Sequence, residues 1–172
     1  EPPEFEPILQ NSDILIYSWG RTIPMIADAI GVELEKMDTV WEKWLATSDI
    51  EYPFGVIREG TVAAVRFEIR GWVNGEPRIV VEHCNRIGND AAPDWPRPSS
   101  VENDAYRVII EGSPNITQET AFRDVVSGDA NAGGCLSTGM RAVNAIPAVC
   151  EATPGMLSPL DLPLVPGLGT MR

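Results

Sequence analysis

The chain has 172 residues, 44% of them apolar, and sets 13 Lys and Arg against 25 Asp and Glu for a net charge of −12. That length suits one domain with a real core, and no apolar run approaches the ~18 residues a spanning helix needs, so no membrane partner is expected. An acidic surface repels phosphate backbones, which argues against nucleic acid.

Cys84, Cys135 and Cys150 are an odd number with no C-x-x-C spacing. A disulfide framework and a structural zinc site are therefore disfavoured, and a reducing cytoplasm is the expected home. The sequence opens "EPPEFEPILQ" with neither an initiator Met nor a signal-peptide pattern. No glycine-rich phosphate loop follows a strand. These features together predict a fragment of a longer protein.

In chain order, residues 1–13 are proline-rich and acidic and read as a lead-in or linker, with the folded domain expected over 14–172. "ILIYSWGRTIPMIADAIG" has helical spacing, with Thr22 as a cap, Pro24 in a first turn and Gly31 just past the end. Gly20 is placed to split it into two helices. "VELEKMDTVWEKWLAT" fits either period, and its β-branched and aromatic content favours a strand.

"TVAAVRFEIRGWV", Asn74-Gly75 and "EPRIVVEHCNRI" form a strong hairpin signal, because Asn-Gly supplies two positive φ angles. Its first arm alternates Val62, Ala64, Arg66, Glu68 and Arg70 against Ala63, Val65, Phe67 and Ile69, with Trp72 expected on the second, buried face. "AYRVIIEG", "SPN" and "ITQETAFRDV" predict a second hairpin. In "AGGCLSTGMRAVNAIPAVC", Leu136, Met140, Val143, Pro147 and Cys150 fall on one helical face, and Pro147 is expected to kink or interrupt the helix. The tail "TPGMLSPLDLPLVPGLG" is too rich in Pro and Gly for regular structure, and apolar enough to pack on the body or a partner. The predicted class is α+β: one largely antiparallel sheet with helices packed on one face.

At "GGCLSTGMRAVNAIPAVCEATPGMLSPLDLP", read with "EHCNRIGNDAAPDWP", the chain resembles the C-terminal half of the dihydrodipicolinate reductase-like oxidoreductases. The nearer branch is the actinobacterial one, related to 2,4-diaminopentanoate dehydrogenase, and the resemblance covers nearly the whole chain. It implies a substrate-binding and oligomerisation domain whose NAD or NADP is bound mainly by an N-terminal Rossmann domain that this chain lacks. It also implies a small-molecule substrate with a C=N, C–N or C=O bond, self-association through the sheet face, no metal, and little activity alone.

The departures from the reductase motif E-x-H-H-x-x-K-x-D-A-P-S-G-T are specific. Glu82 and Asp90 keep the outer spacing, Pro93 comes one residue late, Cys84 and Asn85 stand for the two histidines, Gly88 for the lysine, and Asp94-Trp95-Pro96 for Ser-Gly-Thr. His83, the only histidine, lies one place early and so points to the opposite side of a strand.

His83 is the candidate catalytic proton donor, its pKa lying near neutrality. A strand-end histidine bonded to backbone is the plainer alternative. Arg86 and Asp90 are candidates for binding a substrate carboxylate or amine, or are a simple surface pair. Asp94 and Trp95 would form a rigid loop with an aromatic wall, unless Trp95 only plugs the sheet edge. Gly133 and Gly134 precede or open the last helix, where free N–H groups favour anions. Arg141 and Asn144 face a pocket, a subunit interface or solvent. Cys84 reads as a buried structural thiol, and "VWEKWL" as core and sheet surface. The rival to the enzyme reading is a non-catalytic, homo-oligomeric binding or assembly module.

Overall fold

The computed structural model describes residues 1–53, 55–88, 90–99 and 104–165, and resolves two compact units, Glu1–Pro96 and Arg97–Arg172. The first unit opens with a 3-10 turn, Ile8–Gln10, followed by α1 (Ser12–Trp19) and α2 (Thr22–Ile30). Asn11 caps α1, its Oδ1 accepting from the Ile14 N–H at 3.1 Å. Gly20 does separate the two helices. Gly31 ends α2 in the left-handed region at φ 70°. Thr22 does not cap α2. It is the first helical residue, and Arg21 holds the cap position without a side-chain bond.

Strand β1 spans Lys36–Leu45, and a short hairpin of β2 (Ile50–Tyr52) and β3 (Gly55–Ile57) follows. The Asn74-Gly75 hairpin then joins β4 (Val62–Val73) to β5 (Glu76–Arg86), with φ of 54° and 75° at the turn. β1, β4 and β5 form a three-stranded antiparallel sheet in the order β1-β4-β5. Its inner face carries Phe67, Ile69, Gly71 and Ile79 and is covered by α1 and α2, which contribute Leu15, Ile23 and Ala27 to the core. Leu15, Ile23 and Ile69 are fully buried, and removing each from water stabilises the unit by about 1.5–3 kcal/mol. Ser12 and Thr39 join hydroxyls at 2.6 Å to fix α1 on β1.

Trp72 departs from the expected pattern. It follows Arg70 on the outer face, where Lys36 Nζ stands 4.2 Å and the Arg70 guanidinium carbon 5.9 Å from its ring centroid. The register explains what lies opposite: Trp72 pairs with Pro77 but Gly71 pairs with Ile79, leaving Arg78 as an extra, bulged residue. That single residue turns Ile79, Val81 and His83 inward and Val80, Glu82 and Cys84 outward.

The second unit contains the second hairpin, β6 (Tyr106–Ile110) and β7 (Ile116–Thr120), as a separate two-stranded sheet, and α3 (Ala130–Glu151). All strand pairing among the described residues is antiparallel, so the α+β class holds, but the described strands fall into three sheets rather than one. Asp129 caps α3 by accepting from the Ala132 N–H at 2.6 Å. The helix continues through Pro147, which does not end it. Its expected apolar face is not a core face within the chain: Leu136, Met140 and Val143 are exposed, whereas Gly133 and Gly134 are buried. Residues 152–165 have no helix or strand, as expected of the tail, and 166–172 lie outside the described residues.

Candidate functional site

Because β1 and β5 both run antiparallel to β4, they are parallel to each other and finish at the same end of the sheet. The loops after them, 46–61 and 87–96, emerge there. Residues 1–5 also reach this end: the Val62 N–H donates to the Glu1 carbonyl at 3.0 Å, and Lys43 Nζ donates to the carbonyls of Pro3 at 3.0 Å and Phe5 at 2.6 Å. Loops held by a rigid sheet are where binding groups collect. Residues 1–7, 46–61 and 87–96 together contain eight carboxylates and one arginine.

His83 stands on the inner face, paired with Phe67. Its ring centroid is 5.1 Å from that of Phe67 and 5.0 Å from that of Trp19, and Phe67 stacks on Trp41 at 5.5 Å. Burial among these rings pushes the imidazole pKa down. Burial thus favours the neutral imidazole, which has one ring N–H to donate and one nitrogen to accept. No described residue hydrogen-bonds to it, so the plainer alternative of a backbone-bonded histidine is not what the structure contains.

Two further polar groups share this face. Asn85 follows His83 by two residues, and Lys43 lies in the same register row, with Lys43 opposite Val65 and Val65 opposite Asn85. Sequence reasoning passed over Lys43 as part of a sheet surface. The parity of the hairpin register was the signal that could have found it.

The exit loop folds the other way. Ala91 and Ala92 are buried against Ala64, with Trp44, Ile87 and Trp95 packed around them. Trp44 and Ala64 belong to the outer face, so Trp95 and His83 lie on opposite sides of the sheet. Ala92 adopts φ 48°, a left-handed conformation costing a non-glycine residue about 1 kcal/mol, and the following turn closes with the Trp95 N–H on the Ala92 carbonyl at 3.1 Å. Arg86 secures the loop by donating to the Pro96 carbonyl at 2.6 Å. Asp90 and Asp94 are exposed, with no partner among the described residues. The structure thus brings Arg86 and Trp95 together on one face and puts His83 on the other.

Between them, the outer face holds a charged cluster. Arg66 donates to Glu42 at 2.6 Å and Glu82 at 2.5 Å, and also bonds Glu68. Arg70 grips Asp38 with two bonds of 2.7 and 3.1 Å. Burial alone would lower the Arg66 pKa, but the hydrogen bonds to Glu42 and Glu82 overrule it and raise it. The bond from Arg70 holds Asp38 below the usual carboxylate range. Burial, reinforced by the Glu82 charge, pushes the pKa of the half-buried Cys84 thiol up.

Gly133 and Gly134 belong to the second unit, as the fourth and fifth residues of α3. The Gly133 N–H is taken by the Asp129 carbonyl at 3.1 Å. A Cβ there would stand 2.7–2.8 Å from the Arg123 backbone, and one on Gly134 would stand 3.2 Å from the Tyr106 hydroxyl. Close packing within the unit accounts for both glycines. Arg141 donates to the Val165 carbonyl at 3.2 Å, and Asn144 is half-buried. Among the described residues no group of three or more His, Cys, Asp or Glu is arranged to hold a metal ion.

Four similarities bear on this architecture. The chain is 40% identical over 173 aligned positions to an amine dehydrogenase of Streptomyces virginiae, covering 99% of this chain and 48% of that protein. It is 33% identical over 145 positions to a 2,4-diaminopentanoate dehydrogenase of Acetoanaerobium sticklandii, covering 84% of this chain and 36% of that protein. The chain therefore spans half or less of the length of these relatives. The solved amine dehydrogenase of Mycobacterium smegmatis has the same fold, with a TM-score of 0.59 at 18% identity, over 93% of this chain and 41% of the other. The family model for the 2,4-diaminopentanoate dehydrogenase C-terminal domain matches residues 4–171. On the match across almost its whole length, this chain belongs to the 2,4-diaminopentanoate dehydrogenase C-terminal domain family.

Proposed function

We propose that this chain is the substrate-binding domain of an NAD(P)-dependent oxidoreductase acting on the C–N bond of an amine, or on the corresponding C=N bond in reverse. The observation that carries this reading is the family match over residues 4–171. The loop end of the sheet supports it physically: eight carboxylates against one arginine raise the local concentration of an ammonium ion. Asp90 and Asp94 are the groups we assign to amine binding, with Trp95 as an apolar wall beside them. His83 lies on the other side of the sheet from Trp95, so a part in proton transfer is separate from amine binding and is tested by its own variant.

The dinucleotide is assigned to a separate domain. No described element here joins a parallel strand through a glycine loop to a helix, the arrangement that seats a pyrophosphate. These residues do not fit the cofactor.

The test uses a protein in which this chain follows a dinucleotide-binding domain, assayed for amine-dependent reduction of NAD or NADP with short diamines and simple amines. Turnover that falls in His83→Gln and Asp90→Asn supports both the reading and the site. Turnover unchanged in both variants refutes the site, and no turnover with any amine refutes the reaction class.

A second reading, self-association, is favoured by one observation. Val108, Ile110 and Ile116 share one face of the β6–β7 hairpin and are all exposed, and such patches mark interaction surfaces. The outer face of the three-stranded sheet is charge-laced and suits the core of an interface less well. Light scattering on wild type and Val108→Lys decides it: a mass that falls in the variant supports assembly through this hairpin, and a wild-type monomer refutes it.

A further inference from the structure

Lys43 is inner-facing at the loop end of β1, yet its ammonium pairs with no carboxylate among the described residues. It donates instead to two main-chain carbonyls, Pro3 at 3.0 Å and Phe5 at 2.6 Å. Glu4 lies between them and Glu6 just beyond, and both are exposed with no partner among the described residues. Gripping carbonyls rather than side chains fixes the path of the backbone. A second, independent bond lies alongside: the Val62 N–H donates to the Glu1 carbonyl at 3.0 Å. The register skips Ala63 here, with Trp44 opposite Ala64 and Leu45 opposite Val62. Residues 1–5 are therefore docked on the sheet end, not a free lead-in. The clamp belongs to the register row of Val65 and Asn85, two residues along the strands from the row of His83 and the next one on the inner face.

We infer that Lys43 is a positioning residue: it holds residues 1–7 as a strap across the loop end, so that the strap forms one wall of the amine site and its glutamates face the entering ammonium. The part concerning substrate rests on the function proposed above, whereas the clamp itself does not.

The clamp is tested on this chain with Lys43→Met and Lys43→Arg. The readouts are cleavage of the Glu4–Phe5 bond by a glutamate-specific protease and hydrogen exchange at the Val62 amide. Hydrogen bonds from a charged group are among the stronger ones, so their loss is expected to speed cleavage and exchange by roughly tenfold in Lys43→Met. Lys43→Arg, which keeps charge and donors, should restore most of the protection. Protection unchanged in Lys43→Met overturns the clamp. So does a wild-type Val62 amide that exchanges as fast as a free one, a measurement that needs no variant to fold.

The substrate role is read in the two-domain protein, where Lys43→Met should raise KM for the amine several-fold while kcat stays within about twofold, the pattern of lost ground-state binding. A released strap with unchanged KM overturns the positioning role. If the wild-type enzyme turns over no amine, the function proposed above fails, and the cleavage and exchange results still decide the clamp.

Discussion

Gly71→Ala puts the packing of α2 on the sheet to a quantitative test. Gly71 lies on the inner face of β4, and a Cβ added there would stand 2.5 Å from Ile23 Cγ2, 2.9 Å from Leu34 Cδ1 and 3.5 Å from Ile79 Cβ. Carbon atoms in contact prefer about 3.5–4.0 Å, so Ile23 would have to retreat by more than ~1 Å. It cannot swing into solvent, being fully buried, and a β-branched side chain in a helix has one strongly preferred rotamer. The adjustment therefore falls on α2 itself. Overpacking of this kind costs about 1–3 kcal/mol. The smaller entropy of an unfolded alanine offsets roughly 0.4–1 kcal/mol of it, and a net destabilisation of about 1–2 kcal/mol is expected. All five tryptophans, Trp19, Trp41, Trp44, Trp72 and Trp95, belong to the first unit, so tryptophan fluorescence during urea unfolding reports on that unit alone. With a slope of about 1.5 kcal/mol/M, the midpoint should fall by roughly 1 M. An unchanged or higher midpoint would mean that α2 does not press on Gly71, and the description of the core would be wrong.

Three further expectations follow from the charges. Arg66→Met leaves Glu42, Glu68 and Glu82 facing one another without their cation. Partial exposure screens the repulsion, so a loss of about 1–3 kcal/mol is expected at pH 7, shrinking at high salt; urea midpoints at low and high salt check it. Glu119 is held down to about 2 from an ordinary 4.5 by hydrogen bonds from Ser99 and then Arg107. A depressed carboxylate gives stability that is complete above the ordinary value and disappears as pH falls from there through about 2. Glu119→Gln should flatten this part of the acid unfolding profile, and a carboxyl titrating near 4.5 in NMR would disprove it. For His83, burial lowers the folded pKa, so the unfolded state binds the proton first. Its contribution is complete above about 6.5 and declines as pH drops toward the folded value. His83→Gln should remove that slope between pH 8 and 5, and a His83 resonance titrating at or above 6.5 would contradict the packing against Trp19 and Phe67.

The sequence by itself determined what depends on near neighbours. Asn74-Gly75 requires only its own two φ angles, so the long hairpin was legible, as were the break at Gly20 and the left-handed end at Gly31. The strand character of residues 36–45 followed from β-branched and aromatic content, and the family from motifs spread along the chain. The three-residue strands β2 and β3 were not legible, because they are too short to show a period of two.

What only the tertiary structure decided is which side of each element is covered. "RIVVEH" has apolar residues on both parities, and an unbulged hairpin would have set Phe67 opposite Glu82. The bulge at Arg78 sets it opposite His83 instead, so one extra residue sends the histidine into the aromatic core and Glu82 out to Arg66. Lys43 and Asn85 join His83's side by the same register, and the exit loop leaves for the other side because Ala91, Ala92 and Trp95 find apolar cover at Trp44 and Ala64. The stripe on α3 makes the same point: its spacing fixes a helical face, but whether that face is buried depends on what packs against it. Side-chain alternation is a local property, whereas burial is a property of the partner, and the partner is known only once the chain has folded.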